Sequence, residues 1–360
     1  MIVVGDIASP NAACSADLKE IFKLHQNIFG SNALVCNFEG LVCDDINPST
    51  NTPVLYNHSS VVEVLATANT KAVGLANNHT LDLPHCFENT VRHLIKYNIA
   101  FSGAGESEVE ADMPASFFDG DTEIVLFNFC WDFLMYHQSN PSEEIYVAEL
   151  AIKDLLKDIK AAKQNKPEAK ILIYLHWSFD LETLPFPMYR QMAMSMIDAG
   201  ANAVIGTHSH CVQGGERYNN GYIVYGLGNF FLPYNVFANG KLGFPEMSRL
   251  QLVFEWNPAT NEAKCHWFYY TNNDGHHKLE LKESALFDDS AFMKKYSPYP
   301  SLKGNEYVGY FKKNRRKKIL VPVYTDYNEE FKNSLFTSFL KNRGRFARFL
   351  AKLKMRKWQT

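Results

Sequence analysis

The feature that most constrains this chain is one local order repeated many times. A short apolar, β-rich run is followed by one or two polar residues and then by a segment of helical periodicity. Residues 1–5 stop at Gly5-Asp6, and 33–38 deliver Asn37-Phe38-Glu39-Gly40. Residues 72–75 lead into Ala76-Asn77-Asn78-His79, 123–129 into Cys130-Trp131-Asp132, and 170–175 into His176-Trp177. Residues 203–205 lead into Gly206-Thr207-His208-Ser209-His210, and 222–225 into Gly226-Leu227-Gly228-Asn229-Phe230. Between them, residues 15–29, 59–70, 83–97, 149–164 and 190–199 carry apolar side chains at helical spacing. Runs this short and this continuously apolar suit strands buried on both faces, so the alternation predicts an α/β fold. Residues 249–256 and 265–271, across an Asn-Pro-Ala-Thr-Asn turn, predict an added antiparallel pair and hence mixed sheet character.

Composition narrows the class. With 46% hydrophobic and 21% charged residues the chain is of ordinary globular composition. No window approaches the length of a membrane span, and Met1-Ile-Val-Val-Gly-Asp reads as a strand rather than a secretory leader. The seven cysteines, at 14, 36, 43, 86, 130, 211 and 265, are odd in number and never spaced Cys-x-x-Cys. That pattern predicts reduced thiols and no disulfide framework. The expected location is cytoplasmic, with peripheral contact at the inner face of the membrane.

The basic charge is segregated. Residues 331–360 hold nine Lys and Arg and no Asp or Glu; subtracting those nine from the formal charge of −3 leaves −12 on residues 1–330. Lys312 to Lys318 add six basic residues in seven. Residues 329–354 read as one or two helices with Phe331, Leu335, Phe336, Phe339, Leu340, Phe346, Phe349, Leu350 and Leu353 on one face. An apolar face beside cations suits an anionic membrane surface. Nucleic acid is disfavoured, because the aromatic rings share that apolar face and form no stacking platform. The expected organisation is a catalytic domain over 1–283, a Pro/Tyr/Lys-rich connecting segment over 284–328, and a basic amphipathic tail over 329–360.

The polar residues after the strands define a candidate site: Asp6, Glu39, Asn78 with His79, His176, and His208 with His210. In α/β folds reactive groups gather at the carboxyl ends of strands, so these side chains are expected to meet. Carboxylate, amide and imidazole together suit Mn, Fe or Zn rather than Ca or Mg alone. No strand end offers a Ser-His-Asp set or a glycine-rich phosphate loop. Two histidines one residue apart can turn their rings toward two neighbouring points, as a pair of ions requires.

The motifs Gly5-Asp6, Asn37-Phe-Glu39-Gly, Ala-Asn77-Asn78-His79-Thr-Leu-Asp82, His176-Trp177, Gly206-Thr-His208-Ser-His210 and Tyr225-Gly-Leu-Gly-Asn229-Phe230 occur in this order within residues 1–235. In that order they resemble the CapA family of capsule (poly-gamma-glutamate) biosynthesis proteins. That family is in turn similar to the calcineurin-like metallophosphoesterases, which implies a four-layer α/β/β/α sandwich around two divalent metal ions. The resemblance implies Asp6 and His210 on one ion, Asn78, His176 and His208 on the other, and Glu39 bridging. It implies that His79 stands outside the metals as a proton donor or charge stabiliser. Asp82 either orients that imidazole or caps a helix. Asp180, in His176-Trp177-Ser178-Phe179-Asp180, stands where the family carries a longer Glu. Ala8 replaces a histidine usual in the wider superfamily, and Ser209 replaces a proline. The implied activity is metal-dependent hydrolysis of a phosphoester or polymer bond in capsule or surface-polysaccharide assembly. The alternative is a non-catalytic assembly factor that binds an anionic polymer or a capsule synthase partner.

Overall fold

The computed structural model describes residues 1–46, 54–135, 145–273, 275–316 and 321–352. Most of the aromatic loop, Lys317 and Lys318 of the basic run, and Trp358 fall outside these residues.

The chain first lays down four parallel strands, β1 (Ile2–Ile7), β2 (Leu34–Phe38), β3 (Thr70–Gly74) and β4 (Ala100–Ser102), side by side in that order. It then builds a second sheet from β5 (Ala115–Asp119), β6 (Thr122–Cys130), β7 (Lys170–His176), β8 (Ala203–Thr207), β9 (Val212–Tyr218) and β10 (Gly221–Leu227), in the spatial order β9-β10-β8-β7-β6-β5. It returns to the first sheet with β11 (Asn229–Phe231), β12 (Leu250–Asn257), β13 (Glu262–Asn273) and β14 (His276–Leu286). β11 pairs with the far end of β1, opposite Asp6, and β12 runs antiparallel to its start.

Successive residues of a strand face opposite sides, and the two faces of each sheet have different partners here. Val3, Val35, Ala72 and Phe254 point from the first sheet into Leu126, Leu172, Tyr174, Ile205 and Val224 of the second. Their neighbours Ile2, Val4, Leu34, Cys36 and Val73 point outward, against α1 (Ala12–Leu24), α2 (Ser60–Thr67) and α3 (Phe87–Lys96). On the other side Ile171, Ile173, Leu175 and Val204 pack on α4 (Ile152–Asn165) and α5 (Pro187–Ala199). The result is a four-layer α/β/β/α sandwich. Two buried polar side chains tie the sheets together below the strand ends. Asn128 of β6 accepts from the Ala76 amide at 2.7 Å and donates to the Tyr174 carbonyl at 2.9 Å, and the Tyr174 hydroxyl donates to Val4 O at 2.5 Å.

Several expectations need correction. β5, β9 and β14 are strands that the apolar pattern did not reveal. β9 is interrupted by Gly214-Gly215, and β14 is exposed at most of its positions because it is a sheet edge with one face in water. The helix expected over 15–29 breaks at His25 into Ala12–Leu24 and Gln26–Phe29. The thiols are not all reduced: Cys43 and Cys86 form a disulfide, their Cα atoms 5.6 Å apart, whereas Cys14, Cys36, Cys130, Cys211 and Cys265 are free and buried. Their separation of 43 residues gives no spacing signal, and the fold alone brings them together.

The segment after β14 closes the outer layer of the second sheet. Tyr299, Tyr307, Phe311, Tyr324 and Leu340 join the core formed with α5. They come from around α6 (Asn305–Asn314) and from α7 (Glu330–Lys352). The anchor is a buried bidentate pair, Arg190 Nε to Glu216 Oε1 at 2.7 Å and Nη2 to Oε2 at 2.8 Å. Arg190 Nη1 also donates to the Leu302 carbonyl at 2.5 Å, and its guanidinium lies 4.9 Å from the Tyr307 ring centroid. The described apolar side chains of α7 do not share one face: Phe336 and Leu340 turn to the core, while Phe331, Leu335 and Phe339 remain exposed, and the side chains of Phe346, Phe349, Leu350 and Leu353 lie outside the described residues. Arg190→Ala leaves Glu216 buried without its cation, so urea denaturation should show a loss of about 3–5 kcal/mol.

Candidate metal centre

The parallel strands of both sheets end at one edge of the sandwich, and the residues just beyond them meet there. β1 delivers Asp6, which is fully buried; its Oδ1 accepts from Asn37 Nδ2 at 2.8 Å, while Oδ2 has no hydrogen-bond partner. Just past β2, Glu39 is fully buried and neither carboxylate oxygen has a partner. Two asparagines hold the backbone here. Asn57 donates to Glu39 O at 3.0 Å while accepting from the Ser9 amide at 2.8 Å, and Asn77 donates to Phe38 O at 2.9 Å. Glu39 Oε1 lies 3.9 Å from His176 Nε2 and 3.9 Å from His79 Nε2.

The second sheet supplies the imidazoles. His176, at the end of β7, has Nε2 at 2.7 Å from Asn78 Oδ1 and 3.0 Å from His208 Nδ1. His208 Nε2 lies 3.0 Å from Asp180 Oδ1, and His210 Nδ1 is 2.7 Å from Asn229 Oδ1 and 3.6 Å from Asp6 Oδ2. His208 and His210 have φ of +81° and +51°, left-handed conformations that non-glycine residues rarely adopt. Such strain persists where the surroundings fix it, as at a ligand site. Gly206 permits the approach: a Cβ there would fall 2.1 Å from Tyr225 O and 2.3 Å from Trp177 Nε1.

At this edge, among the described residues, two triplets have ligand atoms within 4.8 Å of one another, Asp6-Glu39-His210 and Asp180-His208-His210. His210 belongs to both, so the geometry provides two adjoining positions. Burial drives the electrostatics. It raises the Asp6 carboxyl above its ordinary value and raises Glu39 well above its own, with the Asp6 charge adding to the latter. Burial also lowers His210, and lowers His176 well below the usual imidazole value, so that both rings are neutral electron-pair donors. Buried carboxylate oxygens without partners beside neutral imidazoles are costly alone and favourable around a divalent cation. The residues present fit a two-ion centre of N and O ligands.

His79 and Asp82 stand at the mouth. His79 Nδ1 is 2.6 Å from Asp82 Oδ2, and the same carboxylate oxygen accepts from the Leu55 amide at 3.0 Å. Asp180 is the exposed member, with 59% of its side chain accessible. Ala8 is buried in an apolar cluster with Leu55, Leu232 and Phe237 and offers no ligand atom. Asn37 and Asn229 hold Asp6 and His210, roles that the sequence pattern does not reveal. Their partners lie 31 and 19 residues away, a distance no spacing rule covers.

The model of the family described as "Bacterial capsule synthesis protein PGA_cap" matches residues 1–234. The chain belongs to this family. The matched region contains every residue from Asp6 to Asn229 named above. Two curated relatives are the PGA biosynthesis protein CapA of Bacillus subtilis, 28% identical over 234 residues, and the capsule biosynthesis protein CapA of Bacillus anthracis, 27% identical over 172. The first match covers 58% of this chain and 56% of the relative; the second covers 47% and 42%. The chain thus spans about half the length of the curated relatives it matches. Among solved structures, a Mycoplasma pneumoniae phosphatase aligns with TM-score 0.44 and 12% identity over 81% of this chain and 97% of its own. The Thermus thermophilus sulfate thiohydrolase SoxB aligns with TM-score 0.40 and 11% identity over 78% and 46%.

Glu39 supplies a stability test. Its folded pKa lies above the ordinary 4.5, so in metal-free protein its contribution favours folding at low pH and is lost as pH rises past that value. Metal-free Glu39→Gln should therefore be more stable than metal-free native chain near neutrality, by about 1–3 kcal/mol in urea denaturation, with the gap closing toward about pH 4. With metal added, the order should reverse.

Proposed function

We propose that this chain is a metal-dependent hydrolase of the CapA type, acting on a phosphoester or on a bond of an anionic polymer during capsule assembly. The observation that carries the reading is the set of buried carboxylate oxygens without hydrogen-bond partners, Asp6 Oδ2 and both oxygens of Glu39, set against neutral histidines. Asp6, Glu39, Asn78, His176, His208 and His210 would hold two divalent ions of the Mn, Fe or Zn kind, with Asp180 as an exposed additional donor. When bound, such ions polarise a phosphoryl oxygen and lower the pKa of a bound water to near neutrality. The rest of the chemistry belongs to the protein. His79 faces the carboxylate of Glu39 with Nε2, and Asp82 accepts from its Nδ1. That contact keeps Nε2 aimed inward, where the imidazolium form donates a proton to the departing oxygen. Asn37 and Asn229 hold Asp6 and His210 in orientation, and the apolar wall around Ala8 keeps water from one side.

A second reading, a non-catalytic assembly factor that binds an anionic polymer or a synthase partner, draws on Ala8, which offers no ligand atom. Elemental analysis with a phosphodiester assay in added Mn separates the two. The hydrolase reading expects about two ions per chain and turnover; less than about one tightly bound ion per chain, with no turnover on phosphodiesters, favours the assembly factor. His208→Ala and His210→Ala should each lose bound metal and activity, and either variant retaining full activity sinks the hydrolase reading. Asp82→Asn should keep its metal but lower kcat by about 10–100-fold, as removal of an orienting partner does.

A further inference from the structure

α7 is bound to the protein by one side and shows a chemically different side to solvent. On the bound side, Phe336 lies edge-on to Tyr324 with ring centroids 5.6 Å apart, and Thr337 meets the Tyr324 hydroxyl at 3.1 Å. Asn333 donates to the Asp326 carbonyl at 2.7 Å, and Leu340 is buried in the core. On the other side Phe331, Leu335 and Phe339 are 79, 54 and 47% exposed. Four residues apart along a helix, they line up as a single stripe. Single exposed apolar residues are ordinary, but a continuous stripe of large ones on an already docked helix marks a contact surface.

Charge selects the occupant. Lys332 is held on the bound side by Glu329 at 2.6 Å, Lys341, Arg343 and Arg345 lie on the same helix, and residues 331–360 contain nine Lys and Arg with no Asp or Glu. A second copy packed face to face would bring cations against cations. An apolar peptide groove would satisfy the stripe but gain nothing from the net positive charge of residues 331–360. A surface with anionic headgroups above hydrocarbon satisfies both at once. Among the described residues no helix is long and apolar enough to cross a membrane, so the contact is interfacial. We propose that the outward face of α7, built on Phe331, Leu335 and Phe339, docks the chain onto an anionic lipid bilayer. The −12 net charge of residues 1–330 is repelled by the same surface, which leaves α7 as the approach that the field favours.

Flotation of the full chain with vesicles tests this. The chain should float with vesicles of phosphatidylcholine mixed with phosphatidylglycerol, much less with phosphatidylcholine alone, and should be released as salt is raised. The triple variant Phe331→Ser, Leu335→Ser, Phe339→Ser should lose at least about tenfold in bound fraction while keeping its circular dichroism and thermal midpoint. Equal flotation of native chain and triple variant overturns the proposal, as does failure of the native chain to float with anionic vesicles. A native dimer that becomes monomeric in the triple variant, without vesicle binding, overturns it in favour of a second copy. If the triple variant does not fold, Leu335→Ser and Phe339→Ser are made singly. Each should weaken flotation several-fold, and no change in either again overturns it.

Discussion

The arrangement depends on negative charge that this protein buries and does not neutralise with a lysine or arginine. Asp6 and Glu39 lie at the junction of the two sheets, out of reach of water, and among the described residues their ion-pair partners are histidines. Burial works against both partners at once, making the carboxylates hard to ionise and the imidazoles hard to protonate. A divalent cation resolves both difficulties, because it prefers the carboxylate ionised and the imidazole neutral. Much of the neighbouring structure serves that point. Asn37, Asn57, Asn77 and Asn229 tie down the strand ends and their side chains, and Asn128 and Tyr174 lock the sheets at the depth from which the ligands project.

The sheets were legible in the sequence because strands buried on both faces leave a continuous apolar run, and helices between them leave a different period. Strands with one face in water left no such trace, so β14, whose leucines are set among Lys278, Glu280, Lys282 and Glu283, was not legible as a strand. The site was legible in part for the same reason: a polar residue directly after an apolar strand must sit at the sheet's edge. That logic reached Asp6, Glu39, Asn78, His176, His208 and His210. It could not say which carboxylate faces which imidazole, since Glu39 and His176 meet across two sheets and 137 residues. Nor could it find the Cys43–Cys86 link, which depends on how the loop after β2 folds over the turn before α3.

The family resemblance and the fold do not share a boundary. The matched region stops at residue 234, and the ligand set lies within it. Three strands of the first sheet, β12 to β14, come later, and β12 covers the side of β1 whose far end carries Asp6. The outer layer of the second sheet is likewise completed by Tyr299, Tyr307, Tyr324 and Leu340.

That mismatch gives β12 a meaning beyond shape. β1 is the strand on which the first carboxylate is mounted, and a strand missing one neighbour presents open amides and carbonyls to whatever chain comes next. In this protein β12 fills that place antiparallel, with Ile2 opposite Glu255 and Val3 opposite Phe254. A protein that shared the ligand motifs but not this strand would need another segment, or another molecule, to seal the same edge. The ligand motifs lie in the first two thirds of the chain, but the guard against unwanted strand pairing is supplied locally by the last third.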